Sequence, residues 1–177
     1  MIKDDLPAEA ASVRTQLSES VKLTNTTMNQ IRYLAHNLRP PALDTIGLNP
    51  TLQGFCEDFA QHTHLSIEYQ GQSINGLSDA TKVTLYRFLQ EAVNNIAKHA
   101  QATHVQVILQ QENKGVSLTV KDNGRGFDPQ TVLAASVRLS GIGLLGIQER
   151  VRLLSGQLII QSQFEQGTTV TVQIPES

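Results

Sequence analysis

The chain has 177 residues, 40% of them hydrophobic and 17% charged, which suits one domain with an additional element. A net charge of −2 excludes a sequence-wide basic field for nucleic acid, and the lone Cys56, read as a small buried hydrophobe, excludes an internal disulfide or cysteine metal cluster. No apolar run is long enough to span a bilayer and no signal-peptide pattern opens the chain, so a soluble piece is expected, with a membrane anchor possible only upstream of a fragment.

The first forty residues hold no glycine and, apart from Pro7, no helix breaker before Pro40-Pro41. Leu17, Val21, Thr24, Met28, Ile31, Ala35 and Leu38 alternate steps of four and three, a heptad-like seam with weak members at Thr24 and Ala35. Such a helix needs a partner, and pairing with a second chain is one solution. The alternative is a helix packed on its own domain. Pro40-Pro41 ends it.

Asn49-Pro50 reads as an N-cap and first helical position, opening a helix to about Thr63. Leu65 to Tyr69 is a short strand. Ser78 caps a long helix to about His99, with Leu85, Leu89, Ala92, Val93 and Ile96 on its apolar side. Val105 to Leu109 and Val116 to Val120 alternate as strands around a turn at Asn113-Lys114-Gly115. Leu144 to Leu154 is a helix ending at Gly156. Leu158 to Ile160 and Thr169 to Ile174 form a second hairpin around Gln166-Gly167. The patterning gives an α+β chain whose helices cover one face of a mixed, largely antiparallel sheet. Between Phe127 and Gly141 the periodicity is lost, and a loop that long reads as a lid.

Three clusters carry candidate chemistry. Glu91 and Asn95 lie one helical turn apart, with Lys98 and His99 a turn further on the same face. The Asn95 amide oxygen suits Mg2+, which keeps most of its waters. Glu91 would orient or deprotonate an attacking group, and Lys98 would neutralise phosphate. The bland alternative is a solvated helix face. Asp122-Asn123-Gly124-Arg125-Gly126-Phe127 follows a strand: an acid to accept from an exocyclic amine, then glycines that admit a flat ligand. An Asx turn is its plain alternative. Gly141-Ile142-Gly143-Leu144-Leu145-Gly146 matches the dinucleotide fingerprint, yet no clear strand precedes it and only a hairpin follows its helix. It reads instead as a glycine hinge before a helix N-terminus whose N–H groups face phosphate.

Together the stretches Glu91 to Ala100, Asp122 to Phe127, Gly141 to Val151 and Gly167-Thr168-Thr169 resemble the catalytic domain of bacterial sensor histidine kinases. Leu38-Arg39-Pro40-Pro41-Ala42-Leu43-Asp44 resembles the junction ahead of that domain in the nitrate-sensor/desaturase-sensor branch. The resemblance covers about residues 30 to 175. It implies a two-layer α/β sandwich of the gyrase type over 42–177, preceded by a partial dimerisation helix over 1–41. It implies ATP and Mg2+ as cofactors, with Asn95 on the metal and Glu91 assisting the chemistry. Asp122 would bind the adenine amine, beside Gly124, Gly126 and Thr168. Lys98, His99, Gly141, Gly143, Leu144, Leu145 and Gly146 would lie over the phosphates. A response regulator would be the partner, with homodimerisation through the N-terminal helix of the full-length protein and no nucleic acid. The portion would be cytoplasmic, in a protein anchored or not in the inner membrane.

One departure stands out. That branch carries its phosphorylated histidine before an acidic residue, and no His-Asp or His-Glu pair occurs here. His36 precedes Asn37, and His62, His64 and His104 read as structural. The acceptor is therefore expected outside this chain, which would be a fragment beginning between two dimerisation helices. A dimerising module that only senses nucleotide is the competing reading. A serine kinase acting on an anti-sigma partner is a third, opposed by the Leu38 to Pro41 junction and the seam.

Overall fold

The structure is a computed structural model that describes residue 20 and residues 40–112, 115–128 and 142–175. The seam on 17–38, the turn at 113–114, most of the expected lid and Gly141 lie outside the described residues. The chain divides into two compact units, Met1–Pro40 and Pro41–Ser177, and all the elements named here belong to the second.

A single turn, α1 (Ala42–Thr45), leads to α2 (Leu48–His62). The cap of α2 is Gly47, at a φ of +87°, two residues earlier than the Asn49 expected from sequence. Pro50 remains harmless because the first turn has no intrahelical acceptor for its missing N–H. Asn49 has other work: its Oδ1 accepts from the Tyr69 hydroxyl at 2.7 Å, tying α2 to β1 (Ser66–Gly71).

The long helix α3 (Asp79–Asn95) is capped as its sequence dictates, with the Ser78 hydroxyl accepting from the Thr81 N–H at 3.1 Å. Leu85, Phe88, Leu89, Ala92 and Val93 are buried along one side. Each large side chain there contributes roughly 1.5–3 kcal/mol by leaving water. The helix then widens into a π turn over Ile96–Ala100, which Gln101 ends in the left-handed region. The sequence alone predicts an unbroken helix here.

Five strands follow the order β1-β2-β3-β5-β4, with β2 (His104–Glu112), β3 (Gly115–Asp122), β4 (Gln157–Gln163) and β5 (Gly167–Pro175). Only β1 pairs in parallel, with β2; the other three pairings are antiparallel. The helix α4 (Ile142–Leu153) connects the two hairpins. Ser155, at a φ of +55°, supplies the left-handed residue after it, where Gly156 was expected. Gly156 is glycine for a steric reason, since a Cβ there would run into the Gln173 carbonyl.

Strand parity sets the two faces of the sheet. Val105, Val107, Leu109, Val116, Leu118, Val120, Val172 and Ile174 are buried with α2, α3 and α4 in one core. Gln106, Thr119, Lys121, Thr171 and Gln173 take the alternate positions, and Thr119 bonds Thr171 across the strands at 3.0 Å. This is the expected two-layer sandwich, with helices on one side of a mixed sheet.

Candidate functional site

Asp122 continues the core-facing row of β3, two residues past Val120. It stands opposite Val105 on β2 and Thr168 on β5, and Thr168 stands opposite Ser162 on β4. One end of the core face is thus an acid beside two hydroxyls. Asp122 is only 4% exposed. Burial raises its pKa above the ordinary carboxylate value, opposed by backbone N–H groups of Gly124 and Thr168 that donate to it. The Gly124 bond is 2.7 Å long.

The next residues form a fixed floor. Asn123 Oδ1 accepts from the N–H groups of Thr103 and His104, both at 3.0 Å, locking the entry to β2. Arg125 N–H donates to the Ala100 carbonyl at 2.8 Å. The π turn of α3 therefore delivers a carbonyl directly to the loop after β3. Gly124 leaves no room for a side chain, since a Cβ would strike that same Ala100 carbonyl. Gly126 has a φ of +60°, and a Cβ on it would meet the Gln163 carbonyl. Both glycines are required by the protein itself, whatever ligand comes near.

The β4–β5 turn closes the other side. Glu165 N–H donates to the Arg125 carbonyl at 2.7 Å, and Phe127 N–H donates to the Ser162 hydroxyl at 2.9 Å. Ser162 also contacts the Thr168 hydroxyl at 2.8 Å and the Gly167 carbonyl at 3.2 Å. Sequence reasoning missed Ser162. Its signal was available in strand parity, which puts Ser162 on the same face as Leu158 and Ile160.

On α3, Glu91 and Asn95 are half-buried and joined by a 3.0 Å bond from Asn95 Nδ2 to Glu91 Oε1. That bond engages the amide nitrogen of Asn95. Lys98 and His99 are exposed on the π turn. The end of α3 meets the Asp122 floor through Ala100. Gly143, Leu144 and Leu145 lie in the first turn of α4, whose leading N–H groups lack intrahelical partners. Gly146 follows on the same helix; among the described residues nothing outside that helix lies within 4 Å of where a Cβ would stand. No cluster of three or more histidine, cysteine or acidic residues able to hold a metal occurs among the described residues.

Comparisons with known proteins agree with this fold. Residues 80–177 match the family described as histidine kinase-, DNA gyrase B-, and HSP90-like ATPase. The chain is 34% identical to the signal transduction histidine-protein kinase/phosphatase DegS of Brevibacillus brevis, over 87% of its own length and 39% of that protein's. It is 37% identical to the sensor histidine kinase MctS of Rhizobium johnstonii, over 91% of its length and 34% of that protein's. It thus spans well under half of these relatives. Among solved structures, the histidine kinase domain of the Erythrobacter litoralis EL346 blue-light activated histidine kinase matches with a TM-score of 0.62 at 18% identity. That match covers 73% of this chain and 61% of the other. The ATP-binding domain of PrrB from Mycobacterium tuberculosis matches with a TM-score of 0.56 at 21% identity, covering 73% and 93%. The chain belongs to the histidine kinase-, DNA gyrase B-, and HSP90-like ATPase family.

Proposed function

We propose that this domain binds Mg2+-ATP and passes the γ-phosphoryl group to a histidine outside the chain, for relay to an aspartate on a response regulator. The observation that carries the reading is the buried Asp122 beside Thr168 on a floor shaped by Gly124 and Gly126. Among the described residues Asp122 accepts from backbone N–H groups, which leaves lone pairs for a ligand amine, and adenine carries one. Asn95 would hold Mg2+ through its amide oxygen, completed by water and phosphate oxygens; a single neutral oxygen fits this metal, which keeps much of its hydration. When bound, the metal would neutralise charge on the phosphate oxygens. Glu91, held by Asn95, would orient the incoming imidazole and take its proton. Lys98, His99, the hinge glycines Gly141, Gly143 and Gly146, and the backbone at Leu144 and Leu145 would face the phosphates.

The placement is cytoplasmic, where ATP is, within a longer protein that dimerises through its N-terminal helix. No described helix is long and apolar enough to cross a membrane. The missing His-Asp or His-Glu pair favours one rival, a nucleotide-sensing module without catalysis. Mixing the chain with a separate protein bearing the acceptor helix pair should yield ATP-dependent phosphohistidine; its absence, with ATP still bound, would support the rival. Asp122→Asn should abolish ATP binding in calorimetry while leaving the fold intact. Unchanged affinity in that variant would remove Asp122 from the site.

A further inference from the structure

Taking the site to bind ATP, we propose that Ser162 is the positioning residue that sets its choice of base. Its hydroxyl holds the Thr168 hydroxyl in the role of acceptor. Asp122 and Thr168 then form a surface that takes an amino group and rejects a carbonyl.

The argument is an accounting of protons. A serine hydroxyl has one proton to give and two lone pairs. Ser162 has three partners among the described residues: Phe127 N–H at 2.9 Å, the Gly167 carbonyl at 3.2 Å and Thr168 Oγ1 at 2.8 Å. Phe127 N–H can only donate, so it uses one lone pair. The Gly167 carbonyl can only accept, so it takes the single proton. The Thr168 contact is then satisfied in one way, with Thr168 giving its proton to the remaining lone pair of Ser162. Thr168 is left with lone pairs alone.

Thr168 stands opposite Asp122 on the neighbouring strand, and both are buried. An ionised Asp122 is also an acceptor. Two adjacent acceptors in a buried place match an exocyclic amine, which has two N–H groups. They oppose a carbonyl oxygen, which would leave every group there without a proton. Adenine carries the amine at its six-position and guanine a carbonyl. Without the Ser162 hydroxyl, Thr168 is free to rotate and donate, and the penalty against the carbonyl falls. Ser162 reaches the ligand only through Thr168, and it also holds the Phe127 N–H.

The test is calorimetric titration of the chain with Mg2+-ATP and Mg2+-GTP, comparing Ser162→Ala, Ser162→Thr, Thr168→Val and Asp122→Asn. Ser162→Ala is expected to weaken ATP by about 3–10-fold and to cut the preference for ATP over GTP by about tenfold. Ser162→Thr, which keeps the hydroxyl, should restore both. Thr168→Val should lower the preference similarly, and combining it with Ser162→Ala should add little. If Ser162→Ala does not fold, Ser162→Thr and Thr168→Val make the same comparison. A merely structural Ser162 would lower the melting temperature and leave the ATP-to-GTP ratio unchanged, which overturns the proposal. ATP binding that survives Asp122→Asn would overturn the site itself, a separate failure from an unchanged ratio in Ser162→Ala.

Discussion

Asp122 faces two opposite demands. Burial raises its pKa above the ordinary value of 3.8, and the N–H groups of Gly124 and Thr168 only partly offset this. The folded chain therefore holds this proton more tightly than the unfolded chain does. Ionising Asp122 costs the fold stability, fully above the raised pKa and not at all below 3.8. Accepting from an amine requires the ionised form. Lowering the pH through the raised pKa should therefore weaken ATP binding while relieving a stability cost in the nucleotide-free protein. Melting temperatures of wild type and Asp122→Asn across this window should converge toward low pH, and wild-type ATP affinity should fall over the same range. An affinity that stays flat down to 3.8 would mean that the charge of Asp122 is not used. The acid itself was legible in the sequence, as a carboxylate at a strand end before two glycines. For Ser162 strand parity gave the face but not the partner, because which residues β4 and β5 place opposite each other is set by register, a property of the assembled sheet.

At the scale of elements, two glycine positions separate structure from ligand. Gly126 is held by its own chain: φ is +60°, and the Gln163 carbonyl occupies the place of a Cβ. Gly126→Ala should lose about 2 kcal/mol or more, from left-handed strain and displacement of the β4–β5 turn. Gly146 is different. It lies inside α4, and among the described residues nothing outside the helix is within 4 Å of a Cβ, so Gly146→Ala should raise stability by roughly 0.5–1 kcal/mol. If the face of α4 at Gly146 takes phosphate, the same change should weaken ATP. Thermal unfolding and calorimetry on Gly146→Ala should thus move in opposite directions, and affinity equal to wild type would place the phosphates elsewhere. Both glycine clusters were visible in the sequence. The π turn was not, since Ile96 to Ala100 carries no breaker, and its last carbonyl, at Ala100, accepts from Arg125, a contact distant in sequence. The cap of α2 was misread for a similar reason: Asn49 is a good capping residue, but its side chain is drawn to Tyr69, twenty residues away.

At the scale of the whole molecule, the sandwich was legible because its signals are local and repeated. Alternation marks β2 and β3, a capping serine opens α3, and turn residues punctuate the hairpins. The parallel pairing of β1 with β2 was less so, because a helix separates the two strands in the chain and nothing in five or six residues names the neighbour. Every member of the buried core, from Leu43 to Ile174, falls within the unit Pro41–Ser177. So do all the described members of the candidate site. Residues 41–177 expressed alone should therefore unfold cooperatively and bind ATP with the affinity of the full chain, within about threefold. Phosphoryl transfer has a further requirement, because the acceptor must be brought to the γ-phosphate, and that alignment is the larger part of catalysis in such reactions. The isolated unit should therefore keep nucleotide affinity while phosphorylating a separately supplied acceptor helix pair more slowly than the full 177-residue chain does. Equal transfer rates would make the first forty residues dispensable for docking, and loss of ATP binding on their removal would mean that they help to build the pocket.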